Sequence, residues 1–441
     1  MAETSRTEQI ILGVVGKPIA HSNSPVIHQL GFKQANVCGA SVRLITDSSL
    51  EALTLARELK LSGINVTAPY KAELAKHLGA QEVINTIVFD TNQTRTYNTD
   101  PSGIIRALEE CEIKINRKVK SALIIGSGGA AISALKALSK KGLTLNLAAR
   151  NETELKQLAA DYKIEKSFRL EDKELTEALQ SVDLILSTVS TGERIIPAAA
   201  IKPKHLVFDA YYAAPSSLLA DAENVGATII PPQTWLIEQG LEALKCFGLE
   251  ITDKNQFKSD FFEATQFRIS SKTSTPKPLA LIGMMGSGKS SVAKMLAQVT
   301  NKTALDLDQS ITDIAGKSIP EIFSTQGEAA FRQLEETCLS QALQQKPAII
   351  ACGGGVILSA KNRSRLIKET LPIWLYTDQQ TSLQRIKNPD SRPLLTNADF
   401  AELFRLRHFN YAQTAHSVID SRSRNVENIT QKILEEYNHY I

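Results

Sequence analysis

Cysteine is scarce in this chain: five residues in 441, Cys38, Cys111, Cys246, Cys338 and Cys352, widely spaced, odd in number and without a CxxC pair. That pattern argues against a disulfide framework and a structural zinc site, and fits a reducing cytoplasm. Charge of one sign is equally short, since 50 Lys and Arg face 47 Asp and Glu for a formal net charge of +3. No sequence-wide field exists to attract nucleic acid or anionic lipid, so neither is expected as a partner, although local basic pockets stay open. Also missing is any uninterrupted apolar run of about 18 residues, and the start, MAETSRTEQ, has no basic stretch followed by an apolar one. The expectation is a cytoplasmic, unexported protein, with homo-oligomers left open. What is present is ordinary: 43% hydrophobic and 22% charged residues collapse around cores rather than stay disordered. At roughly 150 residues per domain, the length predicts about three lobes.

Four apolar runs each stop at a glycine cluster or acidic group: IILGVVG, ALIIGSGG, LALIGMMGSGKS and AIIACGGG. They read as short buried strands feeding loops, and between them stretches such as AISALKALSKK and VAKMLAQVT have helical spacing. The alternation predicts parallel α/β layers. A stretch rich in Ser, Thr, Lys and Pro, TQFRISSKTSTPKP, reads as a linker. A softer boundary lies near YNTDPSG, at Asp100 to Gly103.

GMMGSGKS, Gly283 to Ser290, satisfies G-x-x-x-x-G-K-[ST] between a strand-like run and a helical one. Backbone amides around Gly283, Gly286, Ser287 and Gly288 can close on phosphate oxygens at a helix start. Lys289 adds a point charge and Ser290 a hydroxyl for Mg²⁺. Downstream come LDLDQ, GEAAFRQLE, CGGG, NPDSRPLL and RHFNY. In an extended segment Asp306 and Asp308, two apart, would face one pocket.

From residue 279 to 420 this series resembles shikimate kinase. The resemblance implies that Asp306 holds Mg²⁺ through water, and that Asp308 contacts the acceptor's hydroxyls and takes the attacking proton. Arg332 and Arg407 would clamp the substrate carboxylate, a task suited to planar guanidinium forks. Gly353, Gly354 and Gly355 would admit the ring, Arg392 would neutralise the transferring phosphate from a lid, and Arg385 would stack beside adenine. For any single arginine the competing reading is a solvated helix face.

Residues 8 to 262 resemble shikimate dehydrogenase, through Ser22 and Ser24 in AHSNSP, Asn65, Thr67 and Lys71 in NVTAPYK, Asn85 in INT, Asp100 in YNTD and Gln239 in WLIEQG. Ring-ketone reduction needs a proton at the developing alkoxide, and an ammonium beside a carboxylate, Lys71 with Asp100, can supply it. The resemblance makes Ser22, Ser24, Asn65, Thr67, Asn85 and Gln239 the groups that orient the substrate. GSGGAA, Gly126 to Ala131, fits G-x-G-x-x-A, with Gly126, Gly128, Gly129 and Ala130 at the pyrophosphate. Arg150 ends the next strand where an NAD enzyme usually has an acid, so NADP(H) is favoured over NAD. The chain departs from the family pattern at Pro101, at STVSTG, at Pro232 and at Trp235, in place of the nicotinamide methionine.

The combined reading is an α/β protein. A substrate lobe at 8–103, with a returning helix at 236–262, and a Rossmann lobe at 104–235 make up residues 8–265. A linker at 266–278 leads to a P-loop kinase-type three-layer domain at 279–441. The expected chemistry is NADPH-dependent reduction of 3-dehydroshikimate and Mg²⁺- and ATP-dependent phosphorylation of shikimate. Alternatives are a kinase carrying a weakened or quinate-directed first half, and a catalytically dead regulatory sensor.

Overall fold

The computed structural model describes residues 9–91, 93–212, 215–270, 277–345, 348–386 and 397–438. It divides into two compact units, one of Met1–Phe32, Asn36–Ile64 and Thr265–Ile441, the other of Lys33–Ala35 and Asn65–Ala264. The strands are β1 (Ile10–Val15), β2 (Gly39–Ile45), β3 (Gly63–Val66), β4 (Thr86–Phe89) and β5 (Thr94–Tyr97). They continue with β6 (Ser121–Ile125), β7 (Thr144–Ala149), β8 (Lys166–Arg169), β9 (Leu184–Ser187), β10 (Leu206–Asp209) and β11 (Thr228–Ile230). The last are β12 (Leu279–Ile282), β13 (Ala304–Asp306), β14 (Ile349–Ala351), β15 (Leu371–Tyr376) and β16 (Ser417–Asp420).

In the first unit seven strands run in the order β13-β14-β12-β15-β16-β2-β1, and every neighbouring pair is parallel. Strands such as LALI and LPIWLY are buried along their whole length, which is why they are continuously apolar rather than alternating. The chain order reverses on the two sides of β12, which opens a crevice at its carboxyl end. Into that crevice run the loop after β12 and the helix Lys289–Thr300.

In the second unit six parallel strands lie in the order β11-β10-β9-β6-β7-β8, the doubly wound arrangement with its switch point at β6. β4 and β5 form an antiparallel hairpin. The helix Asp100–Ile115 carries Pro101 in its first turn, where the missing amide costs nothing because that N–H has no intrahelical partner. Pro232 plays the same part in the helix Pro232–Cys246.

Three expectations from sequence are revised. The returning helix read as 236–262 is two, Pro232–Cys246 and Lys254–Ser270, broken where Gly248 takes φ +79°. The segment read as linker is helical as far as Ser270. Asp306 and Asp308 do not alternate along one strand: Asp306 caps the helix Leu307–Ala315 and Asp308 lies in its first turn. The aspartate side chain satisfies helix-start amides, and this local bond outcompetes further extension. Among the described residues no helix is long and apolar enough to cross a membrane.

Candidate active sites

The helix Tyr70–His77 sets Lys71 in its first turn, just after Thr67, whose carbonyl accepts from the Tyr70 amide at 3.1 Å. Its ammonium pairs with Asp100 Oδ2, with only 14% of the lysine and 6% of the aspartate side chain exposed. Asn85 Nδ2 donates to the other Asp100 oxygen at 3.0 Å and approaches Thr99 Oγ1 at 2.9 Å and Gln239 Oε1 at 3.2 Å. Asn65 reaches Thr86 Oγ1 at 3.0 Å and the Asn85 carbonyl at 3.3 Å. An ionised pair and a fan of neutral amides and hydroxyls therefore meet in a site largely shielded from water, where such contacts are stronger than in solvent.

The glycine loop lies against this cluster. A Cβ built on Gly129 would sit 3.3 Å from Lys71 Cδ, whereas one on Gly128 would meet nothing within 4 Å, so the loop is closed toward Lys71 and open beside it. Gly126 takes φ +122°, a conformation that favours glycine. Gly129 and Ala130 start the helix Gly129–Lys140, whose N-terminal amides suit a pyrophosphate. Arg150 follows the end of β7, beside β6 in the sheet, and is exposed. Open backbone at a helix start with a cation at the neighbouring strand end is a donor set that fits a phosphorylated dinucleotide. In the other unit Ser22 and Ser24 are buried, their hydroxyls 3.4 Å apart. Arg43 holds the Ser22 carbonyl with bonds of 2.6 and 3.2 Å.

After β12 the loop needs glycine at three points, with φ of +144° at Gly283, +76° at Gly286 and +91° at Gly288. A Cβ on Gly286 would lie 2.7 Å from the Ser382 carbonyl oxygen. Ser287 is fully buried, and Lys289 Nζ donates to the Gly283 and Met284 carbonyls at 2.9 Å each. Asp306 Oδ1 accepts from the Asp308 amide at 3.0 Å. The oxygens of Ser290 and Asp306 are hard donors of the kind Mg²⁺ prefers, and too few to hold it without phosphate.

Facing that loop, Asp308 and Glu335 flank Gly353, with carboxylate oxygens 2.8 and 2.7 Å from where its Cβ would be. Arg332 Nη1 donates to Glu335 Oε2 at 2.8 Å, and its Nη2 to Glu328 at 3.0 Å. Arg407, 2% exposed, donates to the Gly354 carbonyl at 3.3 Å, and its buried Nε has no hydrogen-bond partner among the described residues. Burial pushes the Glu335 carboxyl above its usual range and Arg332 pulls it back, while Asp308 pushes the same way as burial. Burial also raises the Cys352 thiol, with Lys289 opposing and Glu335, Asp308 and Asp306 adding to the rise. Charged groups from four segments thus converge at the end of β14. Arg385 ends the helix Gln379–Arg385 and donates to the Ser421 and Arg422 carbonyls at 2.5 and 3.0 Å. Arg392 lies outside the described residues.

Comparison with known proteins separates the same parts of the chain. Residues 14–86 match the family model for the shikimate dehydrogenase substrate binding domain, residues 109–209 that for shikimate / quinate 5-dehydrogenase, and residues 285–438 that for shikimate kinase. The chain is 30% identical over 254 residues to a shikimate dehydrogenase (NADP(+)) of Haloarcula marismortui, covering 53% of this chain and 92% of that one. It is 36% identical over 167 residues to a shikimate kinase of Nitrosomonas europaea, covering 37% of this chain and 79% of the relative. The chain belongs to the shikimate dehydrogenase and shikimate kinase families, as a fusion of the two. A solved shikimate dehydrogenase in complex with NADP+ matches with a TM-score of 0.50 and 27% identity over 58% of this chain and 96% of that one.

Within the dehydrogenase half, Trp235 is a core residue. It is 6% exposed, meets Phe208 edge-on at 5.8 Å and lies in one apolar cluster with Ile104 and Ile230. Its bulk fills the space beside Gly103, where a Cβ would come within 3.0 Å of the indole. Sequence reasoning left Thr99 and Thr86 out of the site, although Thr99 sits inside the YNTD motif. In the kinase half it left out Tyr411, whose hydroxyl donates to the Gly354 carbonyl at 2.6 Å, and it named Glu335 beside Arg332 in GEAAFRQLE without giving it a role. The signal for Glu335 was its place three residues after Arg332, on the same helix face.

One consequence concerns Gly355, where any Cβ would overlap the Arg332 guanidinium. Gly355→Ala is expected to displace the Arg332 guanidinium and, on the expectation that this group clamps the substrate carboxylate, to raise the KM for shikimate about tenfold, with the KM for ATP unchanged. Steady-state kinetics with each substrate varied in turn would check this.

Proposed function

We propose that this fusion reduces 3-dehydroshikimate to shikimate with NADPH, and phosphorylates the 3-hydroxyl of shikimate with ATP and Mg²⁺. The observation that carries the reading is the pair of polar clusters, Lys71–Asp100–Asn85 and Asp308–Arg332–Arg407. Each gathers the groups that a small hydroxylated ring acid requires.

In the reductase reading, the nicotinamide supplies a hydride to the carbonyl carbon when bound. Lys71, as ammonium, gives its proton to the oxygen as the C=O bond becomes an alkoxide, and Asp100 keeps that ammonium aimed. Asn65, Thr67, Asn85 and Gln239 bind the substrate's polar groups and orient its ring, and Ser22 and Ser24 are assigned to the same substrate by the sequence resemblance alone. Gly126, Gly128, Gly129 and Ala130 receive the pyrophosphate, and Arg150 the 2′-phosphate.

In the kinase reading, Asp308 takes the proton of the attacking hydroxyl while the new O–P bond forms and the bond to the ADP oxygen breaks. Arg332 and Arg407 hold the carboxylate. The amides at Gly283, Gly286, Ser287 and Gly288, with Lys289, hold the phosphates, and Ser290 and Asp306 would hold Mg²⁺, which spreads the phosphate charge when bound. Arg385 would stack on adenine and Arg392 would close over the transferring group. Working boundaries of 8–265 and 279–441 for the two catalytic parts follow from this assignment.

Separate assays on the purified full chain test the proposal: NADPH oxidation with 3-dehydroshikimate, and ADP release with shikimate. Both rates should exceed the blanks, and absence of either removes that half of the reading. Arg150→Ala should raise the KM for NADPH about tenfold to a hundredfold and leave that for NADH unchanged. Equal effects on both cofactors would deny it the 2′-phosphate.

A further inference from the structure

The seam between β2 and β16 joins residues from opposite ends of the sequence into one sheet and one core. Arg43, Leu44 and Ile45 pair in parallel with Ser417, Val418 and Ile419. Val14, Ile19, Ala20 and Ile45 belong to the same apolar cluster as Leu281, Ile373, Ile419 and Ile433, each 6% exposed or less. An edge strand as apolar as β16 is an aggregation hazard when left open, and here β2 covers it.

Polar contacts fasten the seam at its margins. Glu436 accepts from the Ile19 and Ala20 amides at 2.9 Å each. Buried Arg43, which holds the Ser22 carbonyl, also donates to the His416 carbonyl at 3.2 Å. His408 Nε2 lies 2.8 Å from the Leu59 carbonyl oxygen.

At the carboxyl end of β16 the contacts become ionic. Arg424 pairs with Glu51 and, at 3.4 Å, with Asp47, which Lys432 also meets. Arg422 lies 3.2 Å from Glu58, is bound to Asp420 at 2.8 Å and rests over the Tyr376 ring at 5.1 Å. Tyr376 in turn donates to Glu58 at 3.3 Å. Arg422 is also one of the two residues whose carbonyls hold Arg385. The loop under the arginine assigned to adenine is thus tied down by acids from the helix Ser49–Glu58, in the dehydrogenase half.

We propose that residues 10–59 are a structural part of the kinase, with Glu51 and Glu58 acting as positioning residues for its nucleotide-side loop at 420–424. This rests on the reading of Arg385 as the adenine contact. A kinase freed of this segment would expose β16 and lose two of the carboxylates that orient Arg422 and Arg424. Glu51 and Glu58 are not among the residues assigned to either substrate, and they act through those arginines.

The test uses the full chain carrying Glu51→Gln and Glu58→Gln together. Expected is a rise of about five- to twentyfold in the KM for ATP and in the Kd for Mg·ADP by calorimetry. The KM for shikimate, the kinase kcat and the reductase kcat should stay within about twofold. Charge exchange, Glu58→Arg with Arg422→Glu, should recover part of the affinity that Glu58→Arg alone loses. Unchanged ADP affinity in the double variant would overturn the proposal. Absence of ADP binding in the unaltered chain would instead sink the kinase reading beneath it. Hydrogen exchange on the unaltered protein gives a second, mutation-free measure. The amides of Leu44 and Ile419 should open with the same protection, and free exchange at β2 beside a protected β16 would also overturn the proposal.

Discussion

Lys71→Ala is expected to lower the turnover of carbonyl reduction by about 10²- to 10⁴-fold while shikimate phosphorylation proceeds at its normal rate. The substitution removes the ammonium but leaves Asp100 bonded to Asn85 at 3.0 Å, so the pocket keeps its amides and its carboxylate. Binding should therefore suffer less than turnover. Lys71→Arg separates the two roles a cation could play there. A guanidinium keeps the charge beside Asp100 but does not release a proton near neutral pH, so the arginine variant should stay slow. Recovery of most of the rate by arginine would make Lys71 a charge for orientation rather than a proton donor. Loss of both activities from Lys71→Ala would contradict independent chemistry in the two halves.

Asp308→Asn should reduce phosphoryl transfer by a similar 10²- to 10⁴-fold, with Mg·ADP affinity unchanged within about twofold. Asparagine keeps the shape against Gly353 and leaves the Asp308 backbone amide bonded to Asp306. What it loses is the ability to accept the hydroxyl proton. The change has a second signature. Asp308 is one of the groups that push the Glu335 carboxyl upward, after the larger effect of burial. Removing the Asp308 charge should therefore lower the pKa of Glu335, a shift that carbon-13 resonances of the carboxyl would report. An unaltered kcat in Asp308→Asn would remove the base role, and an unmoved Glu335 titration would show that the two carboxylates do not share one pocket.

Much of the site was legible because its chemistry is local. The glycine spacing at 283–288 and 126–129 marks loops between a strand and a helix, and those loops follow β12 and β6. The motif YNTD carried Asp100, and the short run after β3 carried Lys71. Less legible was how Asp306 and Asp308 are oriented, because a strand rule was applied where the helix-capping role of Asp306 decides the backbone. Burial was illegible too. Glu335 stands three residues after Arg332 on a charged helix, but that its carboxylate is buried between Arg332 and Gly353 shows only in the packing. Trp235 reads as a replaced cofactor residue, yet its neighbours Phe208 and Gly103 come from other elements and make it core.

By itself, the sequence determined the α/β class and the two families, and it named the glycine loops and the side chains proposed here to react, since each depends on residues a few positions apart. Which strand closes the edge of β16 was decided only in three dimensions. β2 and β16 lie some 370 residues apart, and any apolar strand of suitable length satisfies the same periodicity. The choice of partner comes from the fit of whole surfaces. Here that fit is a shared apolar cluster bordered by Arg43, Glu51, Glu58 and Glu436, and a pattern confined to one segment carries no record of it.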